Sequence, residues 1–124
     1  IVFGPDSVPL DVGRALRLVP TPIRKAVVAR DRCCAFPGCD RPASWCEVHH
    51  VAHWTRDHGE TKIDNLVLLC RHHHRTVHHH GWDVRIPTGG VPEFLPPAWI
   101  DPHRTPRRNP HRRRHADLLA EFAP

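Results

Sequence analysis

The hydrophobic positions in the first half of this chain predict a helix and a strand. Thr21-Pro22 is typical of a helix start, with Thr21 as N-cap, and the stretch 23–30 continues it with apolar residues on one face. The segment 47–54 has the pattern of a strand, and 63–69 is apolar around Asn65. We therefore expect a helix followed by a strand and a second apolar segment.

A second helix and a hairpin are predicted further along the chain. Residues 70–79 are predicted to form a helix that ends before Gly81, a residue that favours helix termination. The segments 82–86 and 91–95 flank a Pro-Thr-Gly-Gly turn, which indicates a β-hairpin. The mixture of short strands and helices places the fold in the α+β class.

The composition divides the chain into three parts. Residues 1–20 form a lead-in from an upstream region, because the chain begins with Ile1 rather than Met and is expected to be a fragment of a longer protein. Residues 21–95 carry the predicted elements and form the expected domain. From 96 to 124 proline and arginine dominate, which predicts an extended basic tail.

A domain of this size gains little stability from hydrophobic burial, so a structural metal is expected. Domains below roughly 70–80 residues commonly need a disulfide or a metal. The chain has 5 cysteines and 13 histidines, and this combination favours a reduced, metal-binding set of thiols over a disulfide framework. No apolar run approaches the length of a membrane span. We therefore expect a cytoplasmic protein with no membrane partner.

Two close-spaced ligand pairs predict a structural zinc site. Cys34 and Cys39 flank a Pro-Gly turn, and Cys70 precedes His73 by three residues. Together they supply the Cys3His set of a closed tetrahedral zinc site. Cys33 or Cys46 could replace a member, and the alternative is a group of buried thiols with a surface histidine.

A second group of histidines has the spacing of a catalytic metal site. His74 and His78 lie one helical turn apart and leave one face of the helix, whereas His73 points about 100° away. His49 can join His74 and His78 at a second metal. The alternative for the helix residues is a solvated histidine-rich face.

Adjacent residues on a strand face opposite sides, so His50 is kept away from this metal. A free imidazole has a pKa suited to taking a proton from water at neutral pH, which makes His50 a candidate general base. The amide of Asn65 could orient His50 or pin the loop between them. These residues predict a one-metal phosphodiesterase.

Four segments together resemble the HNH endonuclease domain of the His-Me finger (ββα-metal) superfamily: RDRCCAFPGC, WCEVHH, DNLVLLCRHHHRTVH and GW. The resemblance covers about Val12 to Ile86, and it is especially close to the C-terminal HNH domain of a large actinobacterial protein family. It implies a small ββα-metal fold with a treble-clef-like zinc site. It also implies a hairpin carrying His50, a loop holding Asn65 and a helix presenting His74 as the catalytic elements.

The chain departs from the commonest family pattern at one position. Many members have Asp before the base histidine, whereas this chain has His49, as in toxin nucleases of the superfamily, and His78 also matches that form. Three imidazole ligands favour Zn, Ni, Co or Mn over Mg, which prefers oxygen ligands. The expected cofactors are a structural Zn2+ and one such catalytic divalent metal.

The positive charge favours DNA as the partner. The formal net charge is +5, and arginine supplies all but two of the 18 basic residues. Arginine suits phosphate because its planar fork donates two hydrogen bonds at once. The candidate phosphate-binding arginines are Arg56, Arg71, Arg75, Arg107, Arg108, Arg112, Arg113 and Arg114, although the tail members could equally form a solvated linker. The sequence predicts no oligomeric state.

The main alternative to a nuclease is a zinc-stabilised DNA-binding module without catalysis, including a degenerate nuclease. Cys34, Cys39, His53 and His58 approximate a C2H2 finger, but the gap is one residue too long and Cys70–His78 is left unexplained. A zinc nucleobase deaminase needs an H-x-E and a P-C-x-x-C motif, and the chain has neither.

Overall fold

The fold is organised by two antiparallel strands and the helix that follows them. In the computed structural model, residues 2–3, 9–13, 18–52 and 59–111 are described. The ranges of the helices and strands, in chain order, are β1 Val2–Phe3, β2 Pro9–Gly13, α1 Thr21–Asp31, β3 Cys46–His50, β4 Thr61–Lys62, β5 Leu66–Cys70, α2 Arg71–His79, β6 Asp83–Arg85 and β7 Glu93–Leu95. Short 3-10 helices, Ala43–Trp45 and Ile63–Asn65, precede β3 and β5. The predicted α+β class is confirmed.

The central element is the β3–β5 pair, in which Cys46 lies opposite Cys70 and His50 opposite Leu66. All five residues of β5 are buried, which explains why this strand is a continuous apolar run rather than an alternating one. Helix α2 begins directly after β5. The order strand, strand, helix is the ββα arrangement expected from the sequence.

Helix α1 packs its apolar face on β5. Ile23 and Val27 are fully buried at helical spacing, as the sequence predicted. Asp31 continues this face, and its carboxylate accepts a hydrogen bond from the backbone N–H of Leu68 (3.0 Å) and pairs with Arg30 (2.7 Å). A buried carboxylate needs such partners, so this pair fixes the position of α1 along β5.

The structure has two further sheets besides the β3–β5 pair. Strands β1, β2 and β4 form one sheet in that order, so residues before position 21 contribute to it. Strands β6 and β7 form the predicted hairpin, with Val84 opposite Phe94. Phe94 is fully buried and joins this hairpin to the main core. No helix in the described ranges is both long enough and apolar enough to cross a membrane.

The structure shifts several predicted boundaries by a few residues. Helix α1 begins at Thr21 with Pro20 as its N-cap, one residue earlier than predicted. The strand predicted over 47–54 ends at His50, and the chain bends at residues 51–52. The bend is held by hydrogen bonds to Asn65, whereas residues 53–54 lie outside the described residues.

Candidate metal centre and active site

Four ligand atoms meet where the loop after α1 touches the start of α2. One ligand atom from each of Cys34, Cys39, Cys70 and His73 lies within 4.8 Å of the others. His73 Nδ1 is 3.7 Å from Cys34 Sγ and 3.3 Å from Cys70 Sγ. These are the four residues that the sequence singled out, and we call them the knuckle cluster.

The knuckle cluster fits a tetrahedral zinc ion. Zn–S bonds of about 2.3 Å and Zn–N bonds of about 2.0–2.1 Å imply separations of roughly 3.5–3.8 Å between ligand atoms, close to the observed values. The three cysteines are buried and are not in a disulfide. The cluster can therefore hold a structural metal such as zinc.

The loop between the first two ligands closes as a tight turn. The backbone N–H of Cys39 donates to the carbonyl oxygen of Phe36 (3.0 Å), and Gly38 has a φ of +88°. Pro37 therefore precedes a residue in the conformation that glycine adopts without strain, as in a type II turn. The predicted Pro-Gly turn is present, and it brings Cys39 back towards Cys34.

The two cysteines considered as substitutes lie outside the cluster. The thiol of Cys33 is directed at the carbonyl oxygens of Cys34 (3.5 Å) and Cys39 (3.7 Å), and the thiol of Cys46 at that of Pro42 (3.4 Å). Burial is the main cause that raises the pKa of Cys33 to about 11 and that of Cys46 to about 11. Both are expected to remain protonated thiols.

A cation lies beside the knuckle cluster. Arg41 Nη1 is 3.5 Å from Cys70 Sγ. Burial acts to raise the pKa of Cys70, but hydrogen bonds from the His73 backbone and from other neighbours outweigh it and lower this pKa overall. Arg41 would offset part of the negative charge that three thiolates bring to a metal site.

Aromatic and amide side chains hold the knuckle cluster in place. The Phe36 ring stacks on His73 (centroids 4.2 Å, interplanar angle 5°) and packs edge-on against Trp82 (4.8 Å). The amide of Asn109 donates to the carbonyl oxygens of Cys34 and Cys39, both at 2.7 Å. A residue of the predicted tail is therefore buried against the knuckle cluster.

The three histidines predicted to bind the second metal are neighbours across β3 and α2. The His49 and His74 rings stack with centroids 3.7 Å apart at 12°, and His78 meets His74 edge-on at 4.4 Å. We call them the histidine cluster. In the described ranges it does not reach the mutual closeness of ligand atoms found in the knuckle cluster. Parallel rings direct their in-plane lone pairs side by side, so joint coordination requires rotation of one imidazole.

Burial keeps two of these imidazoles in the neutral form that binds metal. It is the main cause that lowers the pKa of His49 to about 4, followed by the charges of His74 and His78. The pKa of His74 is lowered by burial as well, although the carboxylate of Glu47 opposes this effect. Neutral rings at pH 7 suit a metal with a preference for imidazole.

His50 is held by a residue that the sequence did not indicate. Its Nε2 lies 2.8 Å from the hydroxyl oxygen of Thr61, which is fully buried. The contact joins β3 to β4, which are 11 residues apart in the chain. No local pattern around Thr61 predicts it, because it depends on how the loop folds back.

Asn65 pins this loop, which is one of the two roles considered for it. Its Oδ1 accepts from the backbone N–H of Ala52 (2.7 Å), and its Nδ2 donates to the carbonyl oxygens of Glu60 (2.7 Å) and Ala52 (3.3 Å). Gly59 packs so closely here that a Cβ would lie 1.7 Å from the carbonyl oxygen of Ala52. Asn65 therefore closes both ends of the loop and supports His50 only through the backbone.

Two clefts adjoin the histidine cluster. One has a volume of about 590 Å³ and is lined by His49, His50 and His78 together with residues of the β6–β7 side. The other has a volume of about 400 Å³ and is lined by His49 and His74 together with Arg71 and Arg75. His49 lies on the wall that both clefts share.

The predicted phosphate-binding arginines differ in their surroundings. Arg71 and Arg75 are exposed on α2 beside the histidine cluster. Arg107 lies 3.8 Å from Asp101, and Arg108 lies 3.7 Å from the carboxylate of Glu93, as exposed ion pairs. The remaining predicted arginines, which lie outside the described residues, are Arg56, Arg112, Arg113 and Arg114.

Comparison with known proteins agrees with the geometry. A family model described as HNH endonuclease matches residues 32–80. This range contains the whole knuckle cluster and the whole histidine cluster. Residues 32–80 therefore match the HNH endonuclease family, and the resemblance drawn from the motifs is confirmed over these residues.

Curated relatives extend the similarity beyond the HNH match. Uncharacterized proteins of two Mycobacterium tuberculosis strains are 44% identical over 101 residues, which is 82% of this chain and 22% of each relative. An uncharacterized protein of Mycobacterium bovis is 43% identical over the same length, with the same coverage. The chain thus spans less than a quarter of the length of these relatives. No solved structure gives a significant match.

Proposed function

We propose that this chain is a metal-dependent endonuclease domain that hydrolyses DNA phosphodiester bonds. The observation that carries the proposal is that His49 and His50, adjacent residues of β3, have different contacts. His49 contacts His74, which in turn contacts His78, whereas the next residue, His50, contacts the Thr61 hydroxyl through its Nε2 and lines the larger cleft together with His49. A phosphodiesterase needs this separation, because a base that ligates the metal has no lone pair for a proton.

His50 is the general base in this proposal. The Thr61 hydroxyl lies 2.8 Å from its Nε2 and would orient the ring, whose neutral form takes the proton of the attacking water. Asn65 contributes indirectly, because it fixes the loop that carries the partner of His50. Thr61 is thus a positioning residue, and His50 is the group that meets the water.

The histidine cluster would hold the catalytic metal. A divalent ion held there would supply positive charge that stabilises the departing 3′-oxygen. Three imidazoles favour Zn, Ni, Co or Mn over Mg. The knuckle cluster would hold a structural Zn2+ in addition, and it would fix the start of α2 from which His74 projects.

Arginines on and near α2 would hold the DNA. Arg71 and Arg75 lie beside the histidine cluster, where their guanidinium groups can contact phosphates that flank the scissile bond. The arginines of the tail would add salt-sensitive affinity without sequence preference. We propose 21–95 as the nuclease domain and 96–124 as this basic tail.

A plasmid-nicking assay with a panel of divalent metals tests the base assignment. We expect His50→Ala to lower the cleavage rate by about 10²–10⁴-fold, the usual contribution of a general base, while metal content stays unchanged. His80→Ala is the matched control, because His80 is exposed at the end of α2 and lies outside both clusters. Cleavage at the wild-type rate by the metal-loaded His50 variant would exclude His50 as the base.

A second candidate is a zinc-stabilised DNA-binding module without catalysis. The parallel stacking of His49 on His74 favours it, because this arrangement does not direct their lone pairs at one point. The same metal panel separates the two functions. DNA binding without nicking in any metal would support the inactive module.

A further inference from the structure

An exposed tryptophan lies beside the histidine cluster. Trp45 is 67% exposed, although the next residue, Cys46, is buried in the core. Its indole makes no ring contact in the described part of the chain, and it lines the 400 Å³ cleft together with His49 and His74. What distinguishes Trp45 from the similarly exposed Trp99 is its place in a cleft that two residues of the histidine cluster also line, where its indole is available to a ligand.

The same cleft offers two arginines that form no ion pair with any carboxylate of the described residues. Arg71 and Arg75 lie one helical turn apart on α2, so they share one face. Neither has a hydrogen-bond or ion-pair partner among the residues that the structure describes. By contrast, Arg104, which lines the larger cleft, is bound to Asp83 at 2.6 Å. The acidic residue of the small cleft, Glu47, lies beside His74 instead.

We propose that the indole of Trp45 stacks on an unpaired base of a strand whose phosphates Arg71 and Arg75 hold. The inference rests on the proposed nuclease function and deepens it by naming the substrate class. An indole can stack on a base only when that base is unpaired and turned outward, because duplex bases already stack on each other. The preferred substrate is therefore single-stranded or locally opened nucleic acid.

The position of the cleft places this base next to the reacting phosphate. His49 and His74 line the cleft that contains Trp45, while His49 and His78 line the larger one. A strand that runs from one cleft into the other crosses the histidine cluster. Trp45 would then bind a nucleotide on one side of the scissile bond, and positive charge beside a flat aromatic surface is the chemistry that binds single strands.

Fluorescence anisotropy with two matched probes tests the proposal. The probes are a fluorescein-labelled single strand of mixed sequence and the same strand annealed to its complement. All proteins carry His50→Ala to prevent cleavage, and a gel checks that the probes stay intact. We expect Trp45→Ala to weaken single-strand binding about tenfold, which is about 1.4 kcal/mol, and duplex binding less than about twofold.

Two further variants separate stacking from other effects. Trp45→Phe keeps an aromatic face and should retain single-strand affinity within about threefold. Trp99→Ala is the matched control, because Trp99 is 78% exposed but does not line this cleft, and it should change neither affinity. Equal loss on both probes, loss on neither, or the same loss in the Trp99 variant would overturn the proposal. Loss on neither would indicate another occupant of the cleft, such as a protein.

Failure of the stacking proposal can be distinguished from failure of the proposed nuclease function. If wild-type protein cuts no DNA in any metal but Trp45→Ala still loses single-strand affinity selectively, the stacking proposal is supported and the nuclease proposal is rejected. If wild-type protein nicks DNA and Trp45→Ala binds both probes normally, only the stacking proposal fails.

Discussion

Two adjacent residues of α2, His73 and His74, belong to regions of opposite character. His73 is fixed by the stacked Phe36 ring and completes a buried cluster whose four ligand atoms lie within 4.8 Å of one another. His74 belongs to a cluster that borders two clefts and whose rings touch without converging. The difference matches that between closed structural metal sites and catalytic sites that keep a position open. The first turn of α2 thus contributes one residue to each of the two clusters.

The largest expected effect is loss of the fold when the knuckle cluster loses a ligand. We expect Cys34→Ala to abolish zinc binding and cooperative unfolding, because structural zinc contributes about 10–16 kcal/mol, comparable with the whole stability of a domain. Zinc content and thermal melting followed by circular dichroism measure this.

Cys33→Ala is the matched control, because Cys33 is equally buried but lies outside the cluster. It should keep its zinc and show a cooperative melt. A Cys34 variant that binds zinc one-to-one and melts like wild type would mean that the cluster is not a metal site.

The next effect separates the neighbours on α2. His73→Ala should lower the melting temperature and zinc content, whereas His74→Ala should leave both nearly unchanged and lower nicking by at least about tenfold through loss of a metal ligand. Melting curves and nicking rates of both variants provide the comparison. If the two variants lose stability and activity in parallel, the division between the clusters is wrong.

The smallest expected effect concerns Asn109, whose amide binds the backbone of the knuckle cluster. Asn109→Ala removes two buried hydrogen bonds to the carbonyl oxygens of Cys34 and Cys39, so we expect a loss of about 1–3 kcal/mol. Urea unfolding measures the free energy, and Arg108→Ala, an exposed substitution, should change it by less than about 0.5 kcal/mol. If the Asn109 variant is as stable as the Arg108 control, the two Asn109 hydrogen bonds contribute nothing to the free energy of unfolding.

The sequence predicted the elements whose signals are local. Helix spacing identified Ile23 and Val27 as core residues, the Pro-Gly turn placed Cys34 and Cys39 together, and the order of His73 and His74 on a helix separated the two clusters. These features depend on periodicity and on the chemistry of short motifs. They require no knowledge of distant contacts.

The features that the sequence did not reveal depend on contacts between distant parts of the chain. Thr61 meets His50 only because the loop folds back, and Asn109 reaches Cys39 across 70 residues. Trp45 is indistinguishable in sequence from a core tryptophan until the structure shows it exposed. The role of Asn65 was left open for the same reason, since the motif does not indicate which carbonyl oxygens its amide meets.

The contacts that Asn65 and Gly59 make with Ala52 determine how the domain tolerates an insertion between residues 52 and 59. Ala52 and Gly59 touch, and the Asn65 amide holds the backbone on both sides, so the two ends of the intervening peptide are fixed independently of that peptide. Lengthening a closed loop costs only about 0.6 kcal/mol per doubling. An insertion between Ala52 and Gly59 is thus expected to leave these contacts, and with them the position of Asn65, in place.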